Sequence, residues 1–200
     1  TSGVTMRQTA RILNCHYQTV YRKFLWLSEL AKQHHSKKEF TIQELQFDEM
    51  ESIEHTKLKP LTIALAVSNR YEILGVKVGS IPAKGHLSVI SKKKYGVRNN
   101  ESEITLRELF GNLKANMRSE ERFIIKSDSK PSYKKLVTEF FPRHLYQVHV
   151  AAENKEKRRE LKYTNLEKRI FDPIFAVNQR MAKLRDHIKR LTRRSWCTSK

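Results

Sequence analysis

The sequence is poor in the features that hold small secreted domains together. It has two cysteines in 200 residues, Cys15 and Cys197, far apart and outside any CxxC pair. That pattern excludes a disulfide framework and a zinc site of ordinary spacing, and it fits a reducing compartment. No apolar run approaches the roughly 18 residues that a membrane-spanning helix needs. No signal peptide, internal repeat or low-complexity tract is visible, and the opening Thr1-Ser2-Gly3 is expected to continue a longer reading frame. Acids are scarce as well: 21 Asp and Glu stand against 40 Lys and Arg, for a net charge of +19 and a pI of about 10.1. Such a balance calls for a polyanionic partner, because Lys and Arg neutralise phosphates and release their counterions. A ribosomal or other basic structural protein would share it.

What is present divides in two. Residues 1–35 are helical by pattern. Thr5 can cap a short helix from Met6 to Leu13, with Ala10, Ile12 and Leu13 apolar. Asn14-Cys15-His16 breaks it, and a second helix runs from Tyr17 to Ala31 with Val20, Phe24, Leu27 and Leu30 along one stripe. Two helices across a tight turn make a helix-turn-helix unit, whose second helix would enter the major groove. The candidate DNA contacts are Gln18, Thr19, Tyr21, Arg22 and Lys23, with Arg7 and Arg11 on the first helix. The alternative is an ordinary helical hairpin packed on the rest of the chain. Gln33 to Lys38 is polar and basic and reads as a linker, and its His34-His35 pair has no further ligand at a useful spacing.

Residues 41–200 are expected to form an α/β domain. Ile42, Leu45 and Phe47 lead into Asp48 as strand one, Leu61 to Val67 is strand two, and Ile73 to Val78 is strand three, a meander. Gly79 to Gly85 and the basic stretch Ser91 to Asn100 read as loops. Glu103 to Asn116 has apolar residues at helical spacing, Phe123 to Asp128 is a short buried strand, and Pro131 starts a helix to about Phe140. Leu145 to Val150 is a fifth strand. Basic helices follow over Glu153–Ile170 and Pro173–Leu191. Strands alternating with helices after a meander predict a mixed sheet covered on its faces.

Two aspartates stand out by position. Asp48 closes strand one in Leu45-Gln46-Phe47-Asp48-Glu49, and Asp128 closes strand four in Ile124-Ile125-Lys126-Ser127-Asp128. If those strands are neighbours, both carboxylates project into one cleft. Such a pair repels unless a divalent metal holds it. Mg²⁺ (or Mn²⁺) suits the pair, since it takes carboxylate oxygens and completes its shell with water and phosphate oxygens. Two ions about 3.5–4 Å apart could activate an attacking hydroxyl and stabilise a leaving oxygen at phosphorus. Equally, both acids could simply begin turns, where Asp is common.

Three stretches carry a family resemblance. They are Ser2-Gly3-Val4-Thr5-Met6-Arg7-Gln8-Thr9-Ala10-Arg11-Ile12-Leu13 with Thr19-Val20-Tyr21-Arg22, then Phe47-Asp48-Glu49, then Ile125-Lys126-Ser127-Asp128 followed by Tyr133. With the layout around them they resemble the bacterial insertion-sequence transposases with an acidic (DDE-type) triad, in particular the group related to the IS-one element. The resemblance implies a ribonuclease H-like fold and acids that bind two divalent ions. It implies an enzyme that nicks element ends and joins the freed 3′-hydroxyls to target DNA. The implied partner is double-stranded DNA, bound by several copies of the chain, in the cytoplasm at the nucleoid. In that family a third acid, usually Glu, lies on the helix after strand five, ahead of an Asn and basic residues. Asp172 is the clearest candidate for catalysis and metal binding, departing from that pattern in being Asp and in standing six residues before Asn178, and Glu167 is the second candidate. An Asp before a Pro, as in Asp172-Pro173, is also what a helix N-cap looks like.

The basic stretch Lys183 to Trp196 carries Leu184, Ile188 and Leu191 as an apolar stripe, so it can pack through one face and contact phosphates with another. His144 and His149 flank strand five, as structural histidines or within reach of substrate. Two further functions stay open: a DNA-binding regulator whose larger domain serves dimerisation or ligand binding, and a transposase relic that binds DNA without cutting. Only catalysis requires Asp48 and Asp128 on adjacent strand ends.

Overall fold

The computed structural model describes residues 4–118, 122–150, 172–188 and 191. The expected helix over 153–170, including Glu167, and the basic end from 192 onward lie outside them.

Five strands pair into one mixed sheet in the order β3-β2-β1-β4-β5. β1 (Glu44–Ile53), β2 (Pro60–Ser68) and β3 (Ile73–Ser80) form the expected antiparallel meander. β4 (Ile124–Asp128) then runs parallel to β1, and β5 (Leu145–His149) runs parallel to β4. Six helices are described: α1 (Met6–Ile12), α2 (Tyr17–Ser36), α3 (Leu87–Tyr95), α4 (Ser102–Ala115), α5 (Pro131–Phe140) and α6 (Phe175–His187). This α/β arrangement is consistent with a ribonuclease H-like fold.

The strand sequences explain the layering. β2 is a continuous apolar run because it is buried on both faces. Its Ala64 and Ala66 join Leu45, Phe47 and Ile125 beneath α4 and α5, where Leu106, Leu109, Phe110, Tyr133, Leu136 and Val137 complete one core. Phe47 is its centre, with the Phe110 ring 4.9 Å and the Tyr133 ring 4.8 Å away. On the opposite face Ile63, Leu65 and Val67 pack with Met50 against Ala176, Val177 and Met181 of α6. α4 lies against β3 at two glycines. A Cβ on Gly75 would stand 2.6 Å from Leu109 Cδ1, and one on Gly79 would overlap Thr105 Oγ1.

Three local expectations shift. β1 continues to Ile53 because β2 pairs with it as far as Pro60, so Asp48 lies within the strand rather than at its end. The basic stretch Ser91 to Asn100, expected as a loop, begins inside α3, whose last turn it supplies before Gly96 in the left-handed region (φ 77). The apolar stripe of α2 is present but not buried. α1 begins in a capping box between Thr5 and Gln8, and α2 follows after Asn14 (φ 46), yet of the two helices only Ala10 is buried. Tyr17, Tyr21, Phe24, Trp26, Leu27 and Leu30 are exposed, since two helices alone cannot enclose a core. α2 is tied to the sheet near its C-terminus by His35 Nε2 and the Ile73 carbonyl, 3.2 Å apart. Among the described residues no helix is long and apolar enough to cross a membrane.

Gly79→Ala is expected to cost about 1–3 kcal/mol, because Thr105 is fixed by its own bond to the Glu101 carbonyl and cannot yield. Urea denaturation checks this; unchanged stability would mean that α4 can slide on β3.

Candidate functional site

The parallel register decides where the two aspartates stand. Leu45 lies opposite Ile125 and Gln46 opposite Lys126. The paired stretch ends there; carried on for two residues, the same register would set Asp48 opposite Asp128. Adjacent strands lie roughly 4.8 Å apart and residues in register share a face, so this continuation places the two carboxylates on one face of the sheet. Asp128 raises the pKa of Asp48 through its charge, in keeping with that placement. His149 stands in register with Asp128 on β5, and its Nε2 is buried without a hydrogen-bond partner.

The face that carries the pair is fixed from beneath. Lys126 Nζ meets Glu44 Oε2 at 2.7 Å across β1 and β4. Gln46, 5 % exposed, donates to the Pro173 carbonyl at 3.2 Å and accepts from the Val177 N–H at 3.2 Å. That amide therefore fastens the first turn of α6 to the strand that holds Asp48.

Asp48 and Glu49 are consecutive but sit in opposite electrostatic settings. Burial pushes the Asp48 carboxyl up from its ordinary 3.8 to about 6, with the charges of Asp128 and Glu49 adding to the shift. A bond from the Glu49 N–H to Asp48 Oδ1 at 2.7 Å and the Tyr133 hydroxyl at 3.5 Å work against it. Glu49 is buried too, with its side chain 7 % exposed, yet its pKa is lowered, because four donors surround it. Thr62 Oγ1 at 2.9 Å and Ser102 Oγ at 2.6 Å reach Oε1; Tyr133 at 3.0 Å and the Lys130 ammonium reach Oε2. Burial and the charges of Glu49, Asp48 and Asp128 raise the Tyr133 pKa, so its hydroxyl stays a donor. Lys130 follows Asp128 by two residues and its N–H bonds Asp128 Oδ1 at 3.3 Å. Glu49 thus ties the turn that carries Asp128 to the strand that carries Asp48.

Of the residues expected to act together, Asp48 and Asp128 meet and Asp172 does not join them. Its Oδ1 accepts from the Ile174 N–H at 3.0 Å and its Oδ2 from Asn178 Nδ2 at 2.8 Å, so it closes a turn ahead of α6; the N-cap itself is Ile174, not the Asp172 that Asp-Pro suggested. Among the described residues no three His, Cys, Asp or Glu side chains converge as a metal-holding set. Two hard oxygen donors on one face, one of them with a pKa raised chiefly by burial, fit part of the shell of Mg²⁺ or Mn²⁺. His144 is structural: Nδ1 accepts from the Phe123 N–H at 3.2 Å and its ring lies 3.9 Å from that of Phe123. Arg7, Arg11, Gln18, Thr19, Tyr21, Arg22 and Lys23 are all exposed on α1 and α2. Sequence reasoning placed Glu49 only inside a motif and missed Gln46, Lys130 and Ser102, whose roles depend on cross-strand register.

No protein-family model matches the chain, and no curated protein matches it. Among solved structures, a chain of the cryo-EM structure of the simian T-cell lymphotropic virus intasome in complex with PP2A regulatory subunit B56 gamma aligns with it. The alignment covers 70 % of this chain and 48 % of that one, at 11 % identity and a TM-score of 0.34. The present chain thus spans about half the length of that neighbour, and so slight a likeness carries no argument.

The raised pKa of Asp48 gives a stability test. Between about pH 4 and 6 the native protein holds a proton that the unfolded chain has released, so this group's contribution falls as pH rises through that window. Glu49 acts in the other sense, adding stability above its ordinary pKa that is lost on acidification. Asp48→Asn is therefore expected to be more stable than the native protein near pH 7.5, by on the order of 2 kcal/mol, and equal to it near pH 4. Urea denaturation at both pH values measures this. A variant less stable at pH 7.5 would show that the Asp48 charge is not strained.

Proposed function

We propose that the protein is a metal-dependent DNA strand-cleaving and strand-joining enzyme, a transposase of the acidic-triad kind, with Asp48 and Asp128 at its catalytic centre. The observation that supports this reading most is two carboxylates on the adjacent parallel strands β1 and β4, close enough for Asp128 to act electrostatically on Asp48, in a strongly basic protein. Ligands of open α/β sheets sit beyond the carboxyl ends of the strands, and Asp128 ends β4 there. Bound between the pair, Mg²⁺ or Mn²⁺ would supply Lewis-acid polarisation of a phosphate oxygen and a more acidic attacking water or hydroxyl.

The chain's own residues do the rest. Asp48 and Asp128 offer oxygens on one face. Glu49, Lys130 and Tyr133 hold the two strands at that spacing without lending a free carboxylate to the site. Asp172 is the third acid that the family resemblance suggests. It lies in the turn before the helix that Gln46 fastens beside Asp48, and Glu167 remains its rival. The exposed cations of α1 and α2, Arg7, Arg11, Arg22 and Lys23, fit a helix-turn-helix that docks element ends, with Gln18, Thr19 and Tyr21 facing bases. One observation favours a different reading, a DNA binder that does not cut: no third acid meets the pair among the described residues.

Asp48→Asn and Asp128→Asn are each expected to reduce Mg²⁺-dependent nicking and joining of duplex DNA by about a thousandfold or more, while leaving duplex affinity within about twofold. Cleavage assays paired with anisotropy binding measure both. Full activity in either variant overturns the catalytic reading.

A further inference from the structure

The segment between β3 and α4 is held in place for a reason that neither core explains. α3 buries only Ser91 of its nine residues and joins neither hydrophobic cluster. Polar anchors fix it instead. Ser91 Oγ donates to the Leu58 carbonyl at 2.7 Å. Arg98, with its side chain 12 % exposed, donates to Glu54 and the Pro60 carbonyl, both at 3.2 Å, and to the Ile81 carbonyl at 3.4 Å. The Tyr95 ring stands edge-on to His55 and takes the Lys59 ammonium over its face. Buried polar bonds of this kind return little net stability, because each replaces a bond to water.

What the anchored helix presents is positive charge. Lys92, Lys93 and Lys94 are exposed and consecutive, so at 3.6 residues per turn they fan around its last turn. The carboxylates of the adjoining hairpin are occupied elsewhere: Glu54 by Lys59 and Arg98, Glu51 by Lys84. No carboxylate pairs with Lys92 or Lys93 among the described residues, and Lys94 lies over the Tyr95 ring. Lysines in a last turn also suit the helix dipole, but that effect needs no anchoring to a distant hairpin. Exposed ammonium groups crowded together without counter-charge repel one another, and a polyanion relieves that repulsion.

We infer that α3 is a phosphate-contacting surface for duplex DNA. The hairpin that seats it extends β1 beyond Asp48 at the end of the sheet where the two aspartates stand. From Asp48 to Ile53 the strand covers about 17 Å, roughly five base pairs of duplex. A single strand is the poorer fit, since it asks for exposed aromatic rings on which bases stack. Tyr95, the aromatic residue of α3, is engaged by His55 and Lys59. The inference rests on the proposed function only for why DNA is there; binding itself is measured without cleavage.

The test uses the full chain, EDTA and a labelled duplex of about 30 base pairs, followed by anisotropy from about 50 to 200 mM salt. Replacing Lys92, Lys93 and Lys94 together by Gln is expected to weaken binding at least tenfold at about 100 mM salt. The salt slope should fall by about 2–3, near 0.9 for each lost phosphate contact. Replacing all three by Arg should keep both. Lys37→Gln, Arg70→Gln and Lys114→Gln combined remove the same charge from exposed positions at the other end of the sheet, and should change affinity less than about threefold. A Gln triple that behaves like this control overturns the inference, as does equal loss of affinity for a single strand of the same length. If Asp48→Asn still cuts DNA while the α3 effect holds, the catalytic reading alone fails. If Asp48→Asn is inactive and the α3 effect is missing, the surface alone fails.

Discussion

Everything specific about this fold follows from the register of β4 against β1. One residue of slip would send Asp128 to the opposite face, among the aromatic residues of the α4–α5 core, and leave Asp48 alone. The register is held because Ile125 and Leu45 both point into that core, so neither strand can move without exposing them. Hydrophobic alternation on one face thereby enforces an unfavourable pairing on the other. Two acids are brought to one half-buried face, and the raised pKa of Asp48 records chiefly its burial, with the charge of Asp128 adding to it.

The neighbouring acid shows how the strain is contained. Glu49 sits on the next position of the same strand, but it faces α4 and α5 and receives hydrogen bonds from β2, the start of α4, the turn after β4, and α5. Its charge is fully answered, so it serves as a fastener rather than a ligand. The contrast between Asp48 and Glu49 comes from the two faces of one strand: one face ends in donors, the other in a second carboxylate.

The sequence makes some of this legible and hides the rest. The β2 run, the buried strand ending in Asp128 and the Pro131 helix start are all readable, because apolar periodicity and helix-start signals are local. The pairing of Asp48 with Asp128 was conditional on strand adjacency, which is a property of the sheet. α3 was missed because Lys92-Lys93-Lys94 carries no apolar stripe and almost nothing of the helix is buried; it is held by Ser91, Tyr95 and Arg98 reaching a hairpin distant in sequence. Asp172 looked like both a third ligand and a cap, and the described contacts make it a turn residue just ahead of α6, whose N-cap is Ile174. The α2 stripe read as a packing face and stands exposed, since pattern reveals amphipathicity but not what covers it.

The chain as described is thus a mixed sheet whose apolar layers hold a carboxylate pair together, set in a protein with a large excess of positive charge. The central claim is that the pair exists to share a divalent cation. Mn²⁺ binding followed by electron paramagnetic resonance at neutral pH tests it most directly. The account predicts binding to the native protein that weakens at least tenfold (about 1.4 kcal/mol) in both Asp48→Asn and Asp128→Asn. Binding that is equally strong in all three proteins would contradict it.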